Sequence, residues 1–168
     1  SRTAGKKYSE AVGDRWKMSS PIPAHIADTV ITDAADIDSM AEKCDFVFCA
    51  VNMNREEIVA LEEAYAKAEL PVISNNSANR WTSDVPMVIP EINDAPLSVI
   101  EGQRRRLGTR RGFIAVKPNC SIQSYVPMLT PLLKYGIREV VATTYQAISG
   151  AGKNFAEWPE MVDNVIPF

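Results

Sequence analysis

The sequence predicts an α/β fold, and three observations carry that reading. Asp45 to Val51 holds a continuous apolar run from Phe46 to Val51, the pattern of a parallel strand covered on both faces. Asn54 to Glu69 follows as the clearest helix, with Ile58, Leu61, Tyr65 and Ala68 on one stripe and acids in its first turn. Leu70 to Ser74 is the next strand. Strand, helix and strand of these lengths form a parallel βαβ unit.

The remaining elements are read in chain order. Ser1 to Gly5 is small and polar, a loop, and Lys6 to Asp14 is too short and too charged to assign. Thr29 to Thr32 is a short strand candidate, and Asp36 to Glu42, with Ile37, Met40 and Ala41 apolar, is a short amphipathic helix. Asn75 to Asp84 is a loop rich in Asn and Ser, and Val85 to Pro90 is a short apolar stretch. Asn93 or Asp94 caps a helix with Pro96 in its first turn, running through Glu101 toward Arg106. Phe113 to Val116 is a buried strand. Ser121 to Tyr135 is a helix that Pro127 and Pro131 must kink or split, with Gly136 as its C-cap. Glu139 to Ala147 has the β-branched and aromatic residues of a further strand.

Composition narrows the function. The 168 residues are 46% hydrophobic and 23% charged with a net charge of −3, which suits a globular protein and gives no reason to expect nucleic acid. The basic run from Gln103 to Arg111 reads as a solvated helix end and loop, with a phosphate or nucleic-acid patch as the sharper alternative. Three cysteines do not suggest a secreted disulfide scaffold, and Cys44 and Cys49 read as packing residues. No apolar run approaches a membrane span and no signal peptide is visible, so a cytoplasmic protein without a membrane partner is the default. The only histidine, His25, reads as a surface residue, and no metal site is expected.

The chemistry centres on Lys117-Pro-Asn-Cys120. Pro118 biases Lys117 to an extended conformation and interrupts the strand. Cys120 then falls at or just before a helix N-terminus, where free N–H groups and the helix dipole stabilise a thiolate or an oxyanion. Asn119 adds an amide donor beside the sulfur. The same position also suits a structural cysteine, which packs as a small hydrophobe. Ser149-Gly-Ala-Gly-Lys153 is glycine-rich but fails as a phosphate loop, because Asn154 follows the lysine and the first glycine is too close; a plain turn is the alternative.

The run Lys117-Pro118-Asn119-Cys120-Ser121 resembles the active-site motif of the aspartate-semialdehyde dehydrogenases of archaea, fungi and some bacteria. Ser1 to Tyr8, Ser74 to Arg80, Val88 to Asn93, Gln146 to Gly152 and Asp163 to Phe168 resemble the same family in the same order. The similarity covers the whole chain but only the central portion of the family sequence. It implies a partial NADP-binding Rossmann domain at 1–117, followed at 118–168 by the start of a mixed α+β catalytic and dimerisation domain. It also implies a homodimer or homotetramer.

By the same resemblance, Cys120 is the nucleophile, Asn119 helps stabilise the oxyanion and Gln146 orients the substrate. Ser149, Gly150 and Gly152 line the nicotinamide end of the cofactor, and Arg80 sits near the phosphate pocket, although an ordinary surface arginine is the plainer reading. Ser1, Arg2 and Thr3 follow the second Rossmann strand; an arginine with hydroxyl neighbours and no acid favours NADP over NAD. A frayed terminus is the alternative there. Glu91 is a weaker candidate and can serve as a local cap. The implied reaction is reductive dephosphorylation of L-4-aspartyl phosphate to L-aspartate 4-semialdehyde, feeding lysine, methionine and threonine synthesis.

The chain departs from the family pattern in lacking the base histidine, the carboxylate-binding arginine and the glycine fingerprint of the first Rossmann turn. It is therefore expected to begin inside the first βαβ unit, to stop inside the second domain and to be inactive alone. A non-catalytic assembly piece and another acyl-phosphate reductase are the alternatives.

Overall fold

The computed structural model describes residues 3–167, which divide at Asn119/Cys120 into two compact units. In chain order the first unit contains α1 (Tyr8–Val12), α2 (Ala24–Ala27), α3 (Ile37–Ala41), β1 (Val47–Cys49), α4 (Arg55–Lys67), β2 (Val72–Ser74), α5 (Ile100–Leu107) and β3 (Ile114–Val116). The strands form one sheet in the order β1-β2-β3, parallel throughout, with Val47 opposite Val72 and Val72 opposite Ile114. The predicted α/β class and its parallel βαβ unit are borne out.

α4 connects β1 to β2 and shows why its sequence is helical. Asn54 accepts the Glu57 N–H at 2.9 Å, and Glu57 in return accepts the Asn54 N–H at 3.1 Å, a reciprocal cap. The buried positions are Ile58, Glu62, Tyr65 and Ala66. The expected stripe named Leu61 and Ala68 in place of Glu62 and Ala66, so the buried face is turned toward an acid that hydrophobic patterning passes over. α4 packs with β2, β3 and α5 around Leu70, Val72, Leu107, Ile114 and Val116.

The expectation that the Asp45–Val51 strand is covered on both faces needs correction. Successive strand residues point to opposite faces. Val47 and Cys49 face the core, whereas Phe48 is 77% exposed and stacks edge-on against exposed Phe46, 5.3 Å away. β1 lies at the end of the strand order, and within this unit only one of its faces is covered.

Shorter elements follow their sequence signals in part. Asp36 caps α3 through the Ser39 N–H. Thr29–Thr32 forms no full strand, only a single antiparallel bridge between Val30 and Lys7. Val85–Pro90 adds one parallel bridge, Met87 to Val116. The helix after Asp94 begins as a 3-10 turn, Ala95–Val99, with Pro96 in its first turn as expected, continues as α5 and closes on Gly108 in the left-handed conformation. The expected side-chain cap is not made, since Asp94 bonds no helix N–H and Asn93 turns back to Ile89 and Met87. Of the basic run, Arg106 binds Asp84 and Glu63, Arg104 binds Glu101, and Arg111 binds Asp45.

The end of α4 carries a device the sequence does not announce. Glu69 adopts a positive φ of 65°, and its carboxylate accepts the backbone N–H groups of Arg110, Gly112 and Arg111. Those bonds favour the charged form and hold the carboxyl at about 2, below its ordinary 4.5. A depressed carboxyl contributes stability that is present above the unfolded value and is lost as pH falls through the folded one. The melting temperature should therefore fall between pH 4.5 and 2, and Glu69→Gln should flatten that part of the profile. Thermal melts of both proteins across this range check it; parallel profiles would refute the role.

The second unit begins with α6 (Cys120–Leu129), which contains Pro127 and passes into a 3-10 turn, Thr130–Tyr135, closed by left-handed Gly136. The expected split helix and its glycine cap are found. The expected strand at Glu139–Ala147 is not: these residues have no regular structure, and Val141 and Tyr145 are 87% and 86% exposed. β-branched side chains stabilise a strand through neighbours across it, and among the described residues of this unit no strand is present to pair with it.

Candidate active site

Parallel pairing brings the carboxyl ends of the three strands to one edge. Cys49, Ser74 and Val116 stand side by side in register. The loops leaving them stay tied together: the Asn75 N–H donates to the Cys49 carbonyl at 2.8 Å, and the Lys117 N–H to the Ser74 carbonyl at 3.0 Å. This edge is where open α/β sheets hold nucleotides and reacting groups.

Of the predicted nucleophile motif, Lys117, Pro118 and Asn119 leave that edge directly after β3, and Cys120 opens the second unit. Pro118 is buried, while Asn119 and Cys120 are exposed, and Cys120 is the first residue of α6. The expected placement of the cysteine at a helix N-terminus is thus observed. The other thiols differ. Cys49 is buried, and burial above all pushes its thiol up to about 11; Cys44 is partly buried and packs against the core.

Arg80 belongs to the same edge of the first unit. Its Nε donates to the Lys117 carbonyl at 3.1 Å and a terminal nitrogen reaches the Pro118 carbonyl at 3.4 Å. The structure therefore brings Arg80 to the backbone just ahead of Asn119. In the second unit Gln146 and Gly150 are neighbours: a Cβ added at Gly150 would lie 3.0 Å from the Gln146 Cγ and Nε2. Ser149 and Gly150 lie on a 3-10 turn that ends at left-handed Gly152. Thr3 is partly buried, whereas Ser1 and Arg2, also predicted to bind cofactor, lie outside the described residues. His25 and Glu91 are exposed.

A cavity of about 130 Å³ between β1, α3 and α4 is lined by Met40, Val47, Leu61 and Tyr65 among others, and includes none of the predicted site residues. Among the described residues no group of three or more His, Cys, Asp or Glu could hold a metal, and no helix is long and apolar enough to cross a membrane. Sequence reasoning missed Glu62, Ser74 and Asn79, whose side chains are buried and bonded to one another behind this edge. Ser74 and Asn79 fall within the Ser74–Arg80 segment that resembles the family, at the Asn- and Ser-rich loop, whereas nothing in the sequence signalled Glu62.

Residues 1–100 match the family described as semialdehyde dehydrogenase, NAD binding domain. The chain belongs to that family. Its fold is accordingly Rossmann-like, and the family resemblance read from the motifs is borne out, whereas its expected placing in the central portion of the family sequence is not: the match is to the NAD binding domain. An aspartate-semialdehyde dehydrogenase of Archaeoglobus fulgidus is 39% identical over 99% of the chain, and one of Aspergillus fumigatus is 36% identical over 99%. A crystal structure of the aspartate semialdehyde dehydrogenase of Candida albicans with NADP superposes with a TM-score of 0.73 at 30% identity, covering all of this chain and 46% of that one. The chain spans 46% and 45% of the two relatives' own lengths, a little under half of each semialdehyde dehydrogenase.

Proposed function

We propose that this chain is part of an NADP-dependent aspartate-semialdehyde dehydrogenase, an enzyme that reduces L-4-aspartyl phosphate to L-aspartate 4-semialdehyde. One observation carries the reading: in a chain of this family, Asn119 and Cys120 sit exposed where β3 passes into α6. The domain assignment follows, with 1–117 as a partial dinucleotide-binding domain and 118–168 as the beginning of a catalytic one.

The sulfur of Cys120 attacks the acyl carbon, forming a C–S bond. Asn119 and the N–H groups of the first turn of α6 bind the oxyanion, and the C–O bond to phosphate breaks with the electron pair leaving on phosphate. Arg80 offers the remaining guanidinium nitrogen to the phosphate. A bound NADPH would supply the hydride for reduction of the thioester on Cys120, whose carbonyl carbon would leave as the aldehyde while the C–S electron pair returns to the sulfur. What supports such a cofactor is the in-register carboxyl edge of the sheet, the place where this class of fold receives dinucleotides; the glycine fingerprint for the pyrophosphate is not among these residues. Gly150 leaves room for the Gln146 side chain where a larger residue would displace it. Ser149, Gly150 and Gly152 are assigned to the nicotinamide end, Ser1, Arg2 and Thr3 to the ribose phosphate, and Gln146 to substrate orientation.

Assay of the full-length protein for NADP reduction with aspartate semialdehyde and phosphate tests the reading. Robust phosphate-dependent reduction is expected there. The isolated residues 1–168 should show none, because a proton-handling group beside the sulfur is needed and His25 is exposed in α2, far along the chain from the cysteine motif. Full activity from the isolated chain would overturn the second claim, and no activity from the full-length protein would overturn the first.

A further inference from the structure

α4 carries two consecutive acids with different surroundings. Glu63 meets Arg106 at 2.6 Å and Lys67 at 3.5 Å. Glu62 is fully buried, and among the described residues neither of its oxygens meets a Lys, Arg or His within ion-pair distance. Its partners are neutral. The Ser74 hydroxyl donates to one oxygen at 2.5 Å, and the Asn79 amide donates to the other at 2.7 Å. An apolar side chain would occupy a buried helix position at lower cost, so the acid is accounted for by what it holds.

What it holds has a single arrangement. The Ser74 oxygen accepts the Asn76 N–H at 3.0 Å, which leaves its own proton for Glu62. The Asn79 carbonyl oxygen accepts the Thr82 hydroxyl at 2.9 Å, which fixes the amide with its NH₂ toward Glu62. Both ends of the 74–79 loop are thereby anchored to α4 by groups that are 1% and 2% exposed. Arg80 is the next residue, and its backbone N–H closes a turn on the Ser77 carbonyl at 3.2 Å. From that turn its guanidinium reaches the carbonyls of Lys117 and Pro118.

We propose that Glu62 is a positioning residue for the turn that presents the nucleophile. Through Ser74 and Asn79 it fixes the loop that carries Arg80, and Arg80 fixes the Lys117–Pro118 backbone from which Asn119 and Cys120 follow. The proposal rests on the reading of Cys120 as nucleophile. Glu62→Gln discriminates well, because the shape is kept while the side chain retains only one of the two acceptor oxygens that Ser74 and Asn79 bond. The test is a double-mutant cycle in the full-length enzyme with Glu62→Gln, Arg80→Lys and both together.

At saturating substrate each single change should lower kcat about tenfold or more, with the KM for semialdehyde moving less than threefold. The double variant should be no slower than Arg80→Lys within a factor of three. Losses that multiply, or a Glu62→Gln enzyme as fast as wild type, would overturn the proposal. Leu107→Ala supplies a core-destabilised control expected to keep kcat within twofold; if it loses as much as Glu62→Gln at matched melting temperature, the role is structural only and the proposal falls. Should Glu62→Gln not fold, Ser74→Ala takes its place in the same cycle under the same criteria. The alkylation rate of Cys120 by iodoacetamide is read in every variant. Without wild-type turnover the proposed function fails, while slowed, non-multiplicative alkylation in the variants would still uphold the positioning role and unchanged rates would refute it.

Discussion

Cys120→Ala in the full-length enzyme should abolish turnover, a loss of about four orders of magnitude or more, the scale on which removal of a covalent nucleophile is felt. Alanine leaves nothing to form the acyl bond. Cys120→Ser should rescue little, since a hydroxyl without an adjacent base is a weak nucleophile near neutral pH. Cys44→Ser should keep activity within a factor of two, because Cys44 packs against the core of the first unit and takes no part in the carboxyl edge. Chemical labelling provides the independent check. Cys120 is exposed, whereas Cys49 is buried with its thiol pushed up to about 11, which leaves almost no thiolate there at neutral pH. Iodoacetamide should therefore mark Cys120 first. Earlier labelling of Cys44 or Cys49, or retention of more than about one per cent of activity in Cys120→Ala, would remove the cysteine from its assigned role.

How much of this was legible in the sequence depended on whether the signal was local. The βαβ unit was, because the apolar run of β1, the capped and acid-led start of α4, and the run before Ser74 each state their own conformation. The end of α6 was also local, since Pro131 in the first turn of the 3-10 segment and left-handed Gly136 act on their own backbone, while Pro127 is accommodated inside the helix. Cys120 could be placed at a helix start for the same reason: Pro118 and the apolar strand before it dictate the turn. What failed was whatever required a partner. Phe48 reads as buried in a one-dimensional pattern, yet β1 ends the strand order and one of its faces finds no cover within the unit. Glu139–Ala147 has strand composition, but propensity alone does not make a ladder. Glu62 was invisible for a third reason. An acid in an amphipathic helix is assigned to the solvent side, and only the loop folded against α4 reveals the Ser74 and Asn79 donors that make burial tolerable.

Gly112→Ala should be strongly destabilising, and by far the most damaging alanine among the glycines of the first unit. Gly112 is buried at the start of β3's approach to α4, and a Cβ there would lie 1.8 Å from the Ala66 carbonyl oxygen and 2.8 Å from its carbon. Both atoms belong to the backbone of α4, so no rotamer change can clear the space. Nor can the glycine drift away to make room. Its N–H is held by the Glu69 carboxylate at 2.9 Å and its carbonyl accepts the Thr109 hydroxyl at 2.7 Å. One residue on, the Phe113 carbonyl is bonded to the Val72 N–H at 2.7 Å, so a shift would also pull on the sheet. Overpacking of a fitted interior costs about 1–3 kcal/mol when side chains can adjust. Against fixed backbone the cost should reach about 3 kcal/mol or more, a large part of the stability of a small domain. Gly102→Ala is the matched contrast. It lies inside α5, its added Cβ meets only the flexible end of Arg105 at 3.9 Å, and replacing a helical glycine should stabilise by about 0.5–1 kcal/mol. Urea unfolding of the three proteins decides the matter: Gly112→Ala should shift the midpoint sharply down, or leave no folded baseline, while Gly102→Ala should shift it up. A Gly112→Ala midpoint within about 1 kcal/mol of wild type would mean that α4 and the 109–113 turn can separate without cost, contradicting the close approach on which the packing of α4 against β3 depends.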